Sequence, residues 1–119
     1  LPIWAYLLLH EVRANKAFLV AGGLSAEFGV SCKQAPEADV RREMIRSAKE
    51  TIVLADHTVI DADANIKVCE LSQVNAVITD AGIQAEQSLG LTQRGINVIV
   101  AGQVSRKDDP ASKEVRQDT

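Results

Sequence analysis

The apolar residues of this chain come in short unbroken runs rather than in alternation, and no other feature restricts its folds more. The runs are KAFLVA (16–21), TIVLA (51–55), AVIT (76–79) and INVIVA (96–101), with a weaker one in IKVCEL (66–71). A strand with one wetted face alternates apolar and polar residues; a continuous run belongs to a parallel strand covered by helices on both faces. Helical patterns lie between the runs. In PEADVRREMIRSAK (36–49), Pro36 sits in the first turn, Glu37 and Asp39 suit the positive helix start, and Lys49 suits the negative end. Val40, Met44 and Ala48 recur at i, i+4 and i+8, and Ile45 widens that face. Residues 84–93 read as a second helix, weakened by Gly90 and ended by Gly95. The order strand, helix, strand, strand, helix, strand predicts an α/β layered domain with a mostly parallel sheet.

Bulk properties narrow the partners. The chain has 119 residues, one domain's worth, and its 46% apolar content supports one core. A net charge of −3 argues against a nucleic-acid surface, because phosphate contacts need clustered Lys and Arg. The two cysteines, Cys32 and Cys69, make neither a metal motif nor a disulfide framework, which suits a reducing, cytoplasmic setting. The run Ile3 to Leu9 is too short to span a membrane and lacks the flanks of a signal peptide, so no membrane partner is expected. Residues 3–12, IWAYLLLHEV, are apolar nearly all round. A helix of that kind needs cover on several sides, and we expect burial against a second copy, a homo-oligomer. The charged tail 105–119 holds Pro110 and shows no period; we expect a mobile terminus after a domain of residues 1–104. The chain opens on Leu1 rather than Met, which reads as a piece of a longer or processed chain.

The chemistry gathers where the runs stop. They end in Gly22–Gly23, Asp56–His57 and Asp80. If the strands are parallel, these groups meet at one edge of the sheet, where open α/β sheets bind ligands. Each has an ordinary reading beside the functional one. Gly22–Gly23 is either a turn or a close backbone approach to a ligand. Asp56 and His57 are either an acid–base pair or a solvated loop. Glu37 is either a site carboxylate or an acidic first-turn residue. Arg41, Arg42 and Arg46 could hold an anion, or face solvent with Glu37–Arg41 attractive and Arg42–Arg46 repulsive. DADAN (61–65) lacks the glycine and distal glutamate of a calcium loop, so no metal is expected. No glycine-rich nucleotide fingerprint is present and no cofactor is implied.

Taken in order, residues 13–101 resemble the C-terminal sensor domain of DeoR-type bacterial transcriptional repressors. RANKAFLVAGGLSAEFGVS is similar to that family's strand and glycine loop, which lead to a Gly-(Leu/Ile)-Thr turn, here Gly29–Val30–Ser31. PEADVRREMIRSAKETIVLAD resembles its Glu-x-x-Val-(Lys/Arg)-Arg helix, here Glu37, Val40, Arg41 and Arg42, and Asp56 matches the Asp ending its next strand. LSQVNAVITDAGI matches its Leu-Ser-x-(Ile/Val)-(Asp/Asn)-x-(Val/Leu)-Ile-Thr-Asp segment. The pieces align without a gap from Gly29 to Asp80. Two departures stand out. The family commonly has Asp-Ser-Ser-Lys where this chain has Asp56–His57–Thr58–Val59, so the Lys that would meet an anionic effector is Val59. The family's early phosphate loop, Asp-x-Gly-(Thr/Ser)-Thr, has no counterpart here.

The resemblance implies a Rossmann-like three-layer fold akin to sugar-phosphate isomerases and deaminases. It implies binding of a phosphorylated sugar or related metabolite, oligomerisation, and DNA contact only through a separate winged helix-turn-helix domain. The effector contacts it suggests are Gly22, Gly23, Glu37, Asp56 and His57, with no catalytic residue. Two other classes stay open: an isomerase- or deaminase-like enzyme using Glu37, Asp56 or His57, and a pure oligomerisation module.

Overall fold

The computed structural model describes residues 13–102. The expectations for 3–12 and 105–119 lie outside them. The chain runs through β1 (Ala14–Val20), β2 (Gly23–Ser25), β3 (Gly29–Cys32), α1 (Ala35–Ser47), β4 (Ala48–Leu54), β5 (Ile66–Cys69), β6 (Ala76–Thr79), α2 (Ala85–Gln93) and β7 (Asn97–Val100). Short 3-10 turns follow β4 at His57–Val59 and β5 at Leu71–Gln73. This is the expected α/β architecture.

Among the described residues, four strands form one parallel sheet in the order β1-β4-β6-β7. Val20 lies opposite Leu54, Leu54 opposite Ile78, and Ile78 opposite Ile99, so the carboxyl ends line up. Each step along the chain adds the next strand of this sheet on the same side. Asn75 anchors the amino ends: its side-chain oxygen accepts from Thr51 N–H at 2.8 Å, and its carbonyl accepts from Asn97 N–H at 3.0 Å.

Packing explains why the runs became strands. Thr51, Ile52 and Val53 of β4 are buried in succession, as a central strand requires. The outer strand β1 departs from that expectation. It buries Ala17 and Leu19 but leaves Phe18 52% and Val20 60% exposed. The core joins Val53 and Val77 of the sheet to Leu24, Val30, Val68, Leu91 and Ile96.

Three features differ from the sequence reading. First, β2, β3 and β5 form a separate antiparallel sheet, so the run at 66–69 is not part of the parallel layer. Second, the helix read as 36–49 ends at Ser47, because Ala48 turns extended and pairs with Ala14 in the β1 ladder. Third, α1 turns Ala38 and Glu43 inward, while Val40 and Met44 are half-buried beside β1. Of the expected face, Ile45 packs against the core. The Glu37–Arg41 pair forms at 3.3 Å, whereas Arg42 and Arg46 turn to Asp39 and Glu43 rather than opposing each other. Both cysteines are buried free thiols, and burial pushes Cys69 up to about 11.

Val53 is fully buried between two paired strands. Val53→Ala should cost about 1–3 kcal/mol, from lost burial and the residual cavity. Denaturant unfolding checks this; an unchanged midpoint at unchanged slope would remove Val53 from the core.

Candidate functional site

Because β4 and β6 are in register, the segments that follow them emerge side by side. Ala55 N–H still donates to the Ile78 carbonyl at 3.0 Å, and only then does the chain leave the sheet. Asp56 caps the 3-10 turn that begins at His57: its Oδ1 accepts from Thr58 N–H at 2.8 Å and also from the Thr58 hydroxyl. Asp80, just past β6, reaches across to the same turn. Its Oδ2 accepts from His57 N–H at 3.0 Å, and its Oδ1 accepts from Gly82 N–H at 2.8 Å. The His57 Nδ1 lies 2.8 Å from Asp80 Oδ1. One carboxylate therefore ties the loop after β4 to the loop after β6.

Residue 82 has to be glycine for this arrangement. A Cβ there would lie 2.5 Å from His57 Nδ1 and 2.9 Å from Asp80 Oδ1. The imidazole occupies the space a side chain would take. His57 and Asp80 both keep about half their side-chain surface, so the cluster is open to a ligand.

The carboxylates are held in their charged forms. Backbone N–H donation from His57, then from Gly82, lowers Asp80 below its ordinary value, with a smaller contribution from the His57 ring. The Thr58 hydroxyl, then the Thr58 N–H, lowers Asp56, opposed in part by the nearby charge of Asp80. No Lys or Arg of the described residues pairs with Asp56, His57 or Asp80.

The other sequence-derived candidates make contacts of their own within the fold. Gly23 is buried, and a Cβ there would lie 2.6 Å from the Ala62 carbonyl oxygen and 2.8 Å from Ala64 N. The close approach it permits is therefore to this protein's own 62–64 segment. Gly22 donates its N–H to the Ser31 carbonyl at 2.9 Å, also within the fold. Glu37, in the first turn of α1, pairs with Arg41 and lines a groove of about 520 Å3 with Val20, Pro36 and Met44. Val59 packs against the core. Asp80 and Gly82 were not among the sequence-derived contacts, although Asp80 does end an apolar run.

A smaller concavity of about 150 Å3 lies between β2 and α2, lined in part by Ser25, Asp61, Gln87 and Arg94. Asp61 holds φ at 69° there and accepts from the Gln87 amide at 2.8 Å. Among the described residues no three of His, Cys, Asp and Glu gather into a metal site, and no helix is long and apolar enough to cross a membrane.

The lowered carboxylates fix a pH dependence. A group whose folded pKa is depressed contributes stability above its unfolded value, and that contribution disappears as pH falls through the folded value. For Asp80 the window opens below about pH 4, near the ordinary Asp value of about 3.9. The stability difference between wild type and Asp80→Asn should shrink as pH falls below about 4. Urea unfolding at stepped pH measures it; a difference that persists unchanged to pH 2 would contradict the ionised, hydrogen-bonded Asp80.

A family model for the DeoR C terminal sensor domain matches residues 3–81. The chain is 30% identical over 95 residues to the "Putative aga operon transcriptional repressor" of Escherichia coli O157:H7, over 80% of this chain and 35% of that protein. It is 29% identical over 100 residues to the HTH-type transcriptional repressor GlcR of Bacillus subtilis (strain 168), over 84% and 38%. To the "Putative sgc region transcriptional regulator" of Escherichia coli (strain K12) it is 29% identical over 76 residues, over 64% and 29%. The chain thus spans little more than a third of the length of the curated relatives it matches. The family is a sensor domain of transcriptional repressors and not an enzyme, which sets aside the isomerase or deaminase alternative. This chain belongs to the DeoR C-terminal sensor domain family.

Proposed function

We propose that this chain is the effector-sensing part of a DeoR-type repressor and that residues 1–104 belong to the sensor. The effector is a sugar phosphate or related metabolite. It contacts the carboxyl edge of the parallel sheet through Asp56 and His57, with Glu37 and the Gly22–Gly23 turn at the margin. The observation that carries this reading is the open Asp56–His57–Asp80 cluster, placed past two adjacent parallel strands where α/β sheets take ligands. Nothing here asks for turnover. The sensor acts by differential binding: the metabolite favours one quaternary state of a homo-oligomer, and a winged helix-turn-helix domain elsewhere in the polypeptide carries the change to DNA in the cytoplasm.

Calorimetric titration with a panel of sugar phosphates tests this, with sedimentation before and after ligand. We expect saturable binding without turnover by at least one compound, in an oligomer whose size or compactness responds. Asp56→Asn should weaken it about fivefold to tenfold, the loss of about 1–1.5 kcal/mol expected when a charge-assisted hydrogen bond becomes a neutral one. Binding indifferent to both Asp56→Asn and His57→Ala would place the effector elsewhere. No binding across the panel would count against the sensor reading.

A further inference from the structure

The Asp56–His57–Asp80 cluster presents acceptors. We infer that it reads hydroxyl groups of its ligand through the lone pair of a neutral His57, and that acidification switches this recognition off. The inference rests on the effector reading above and adds which part of a ligand the cluster takes.

The hydrogen bonds already made within the cluster determine what is left for a ligand. Both Asp80 oxygens are engaged, by His57 N–H, Gly82 N–H and the His57 ring. A carboxylate accepts only, so the ring nitrogen facing it, Nδ1, carries the proton. In a neutral ring that leaves Nε2 bare, as an acceptor. Asp56 spends Oδ1 on Thr58, and its Oδ2 has no partner among the described residues. The unused groups of two consecutive residues are therefore an imidazole lone pair and a carboxylate oxygen. A hydroxyl, as a polyol supplies, can donate to either.

The charge balance points the same way. The charged groups facing the ring are Asp56, which precedes it, and Asp80, from the end of β6; Gly82 packs against it with no side chain. With a neutral ring the cluster carries two negative charges, and no Lys or Arg of the described residues offsets them. An anionic group has no reason to prefer this place. Val59, where a cation would help an anion, is packed on the core. Protonating His57 turns Nε2 from acceptor to donor and leaves the Nδ1 contact with Asp80 in place. The ring can then no longer accept from a hydroxyl.

The test uses this chain in a His10→Gln background, so that His57 is its one remaining histidine. The probes are D-glucitol, a neutral polyol, and sulfate at ionic strength matched with chloride; neither titrates between pH 5 and 8. Nitrogen-correlated NMR of the ring should show Nδ1 protonated and Nε2 bare at pH 8. Glucitol should lower the midpoint of the His57 titration, because it binds the neutral ring, and sulfate should not move it. Glucitol affinity should fall by up to about tenfold per pH unit below that midpoint, the limit for one linked proton. His57→Gln, which offers an uncharged amide near the Nε2 position, should abolish that pH dependence. A proton on Nε2 at pH 8, a midpoint raised by sulfate, or a midpoint indifferent to glucitol would each overturn the inference. The sugar-phosphate calorimetry is scored separately: effector binding there without the His57 linkage overturns the hydroxyl reading alone.

Discussion

The parallel register of β4 on β6 is the constraint from which the rest of the site follows. Val53 and Val77 are fully buried opposite each other, and that pairing fixes the position of the two strand ends. The last ladder contact, from Ala55 N–H to the Ile78 carbonyl, brings Asp56 and His57 out beside Asp80. Slippage of one residue would turn every side chain of β4 over and, in one direction, bring Asp56 to the buried position of Ala55. Apolar packing in the core thus sets the geometry of polar groups at the rim.

At that rim one carboxylate organises two loops. Asp80 satisfies two backbone N–H groups that no strand or helix uses, and the same carboxylate orients the His57 ring. Gly82 makes room for the ring by having no side chain. Asp56 works more locally, closing its own turn onto Thr58 and keeping one oxygen uncommitted. The two Asp residues have separate tasks, one building the loops and one left available to a ligand. Glu37 is in an ion pair with Arg41 on the groove beside β1. Effector recognition at the rim is the reading we propose.

Much of the fold was legible because burial leaves a mark in sequence. The apolar runs became β1, β4, β6 and β7, of which β4 and β6 have a neighbour on both sides among the described residues. The pieces that escaped notice are short or polar. In β2, Gly-Leu-Ser, and β3, Gly-Val-Ser-Cys, glycine and serine sit at buried positions, so hydropathy does not flag them. The run in β5 was visible, but periodicity says nothing of which sheet a strand joins. Helix α1 was misread at its end because Ala48 and Lys49 suit a helix locally, while the β1 ladder claims them.

The candidate cluster was legible in part, at Asp56 and His57, where an apolar run stops at two polar residues. The role of Gly22–Gly23 could not be read, since only the fold shows that Gly23 is filled by residues 62–64. Asp80's link to His57 spans 23 positions, and no local pattern encodes it. Amide chemical-shift mapping with whichever sugar phosphate binds tests the central claim most directly. The largest changes should fall on His57, Thr58 and residues 80–82. Changes confined to the Asp61–Arg94 concavity or to the Glu37–Met44 groove would contradict it.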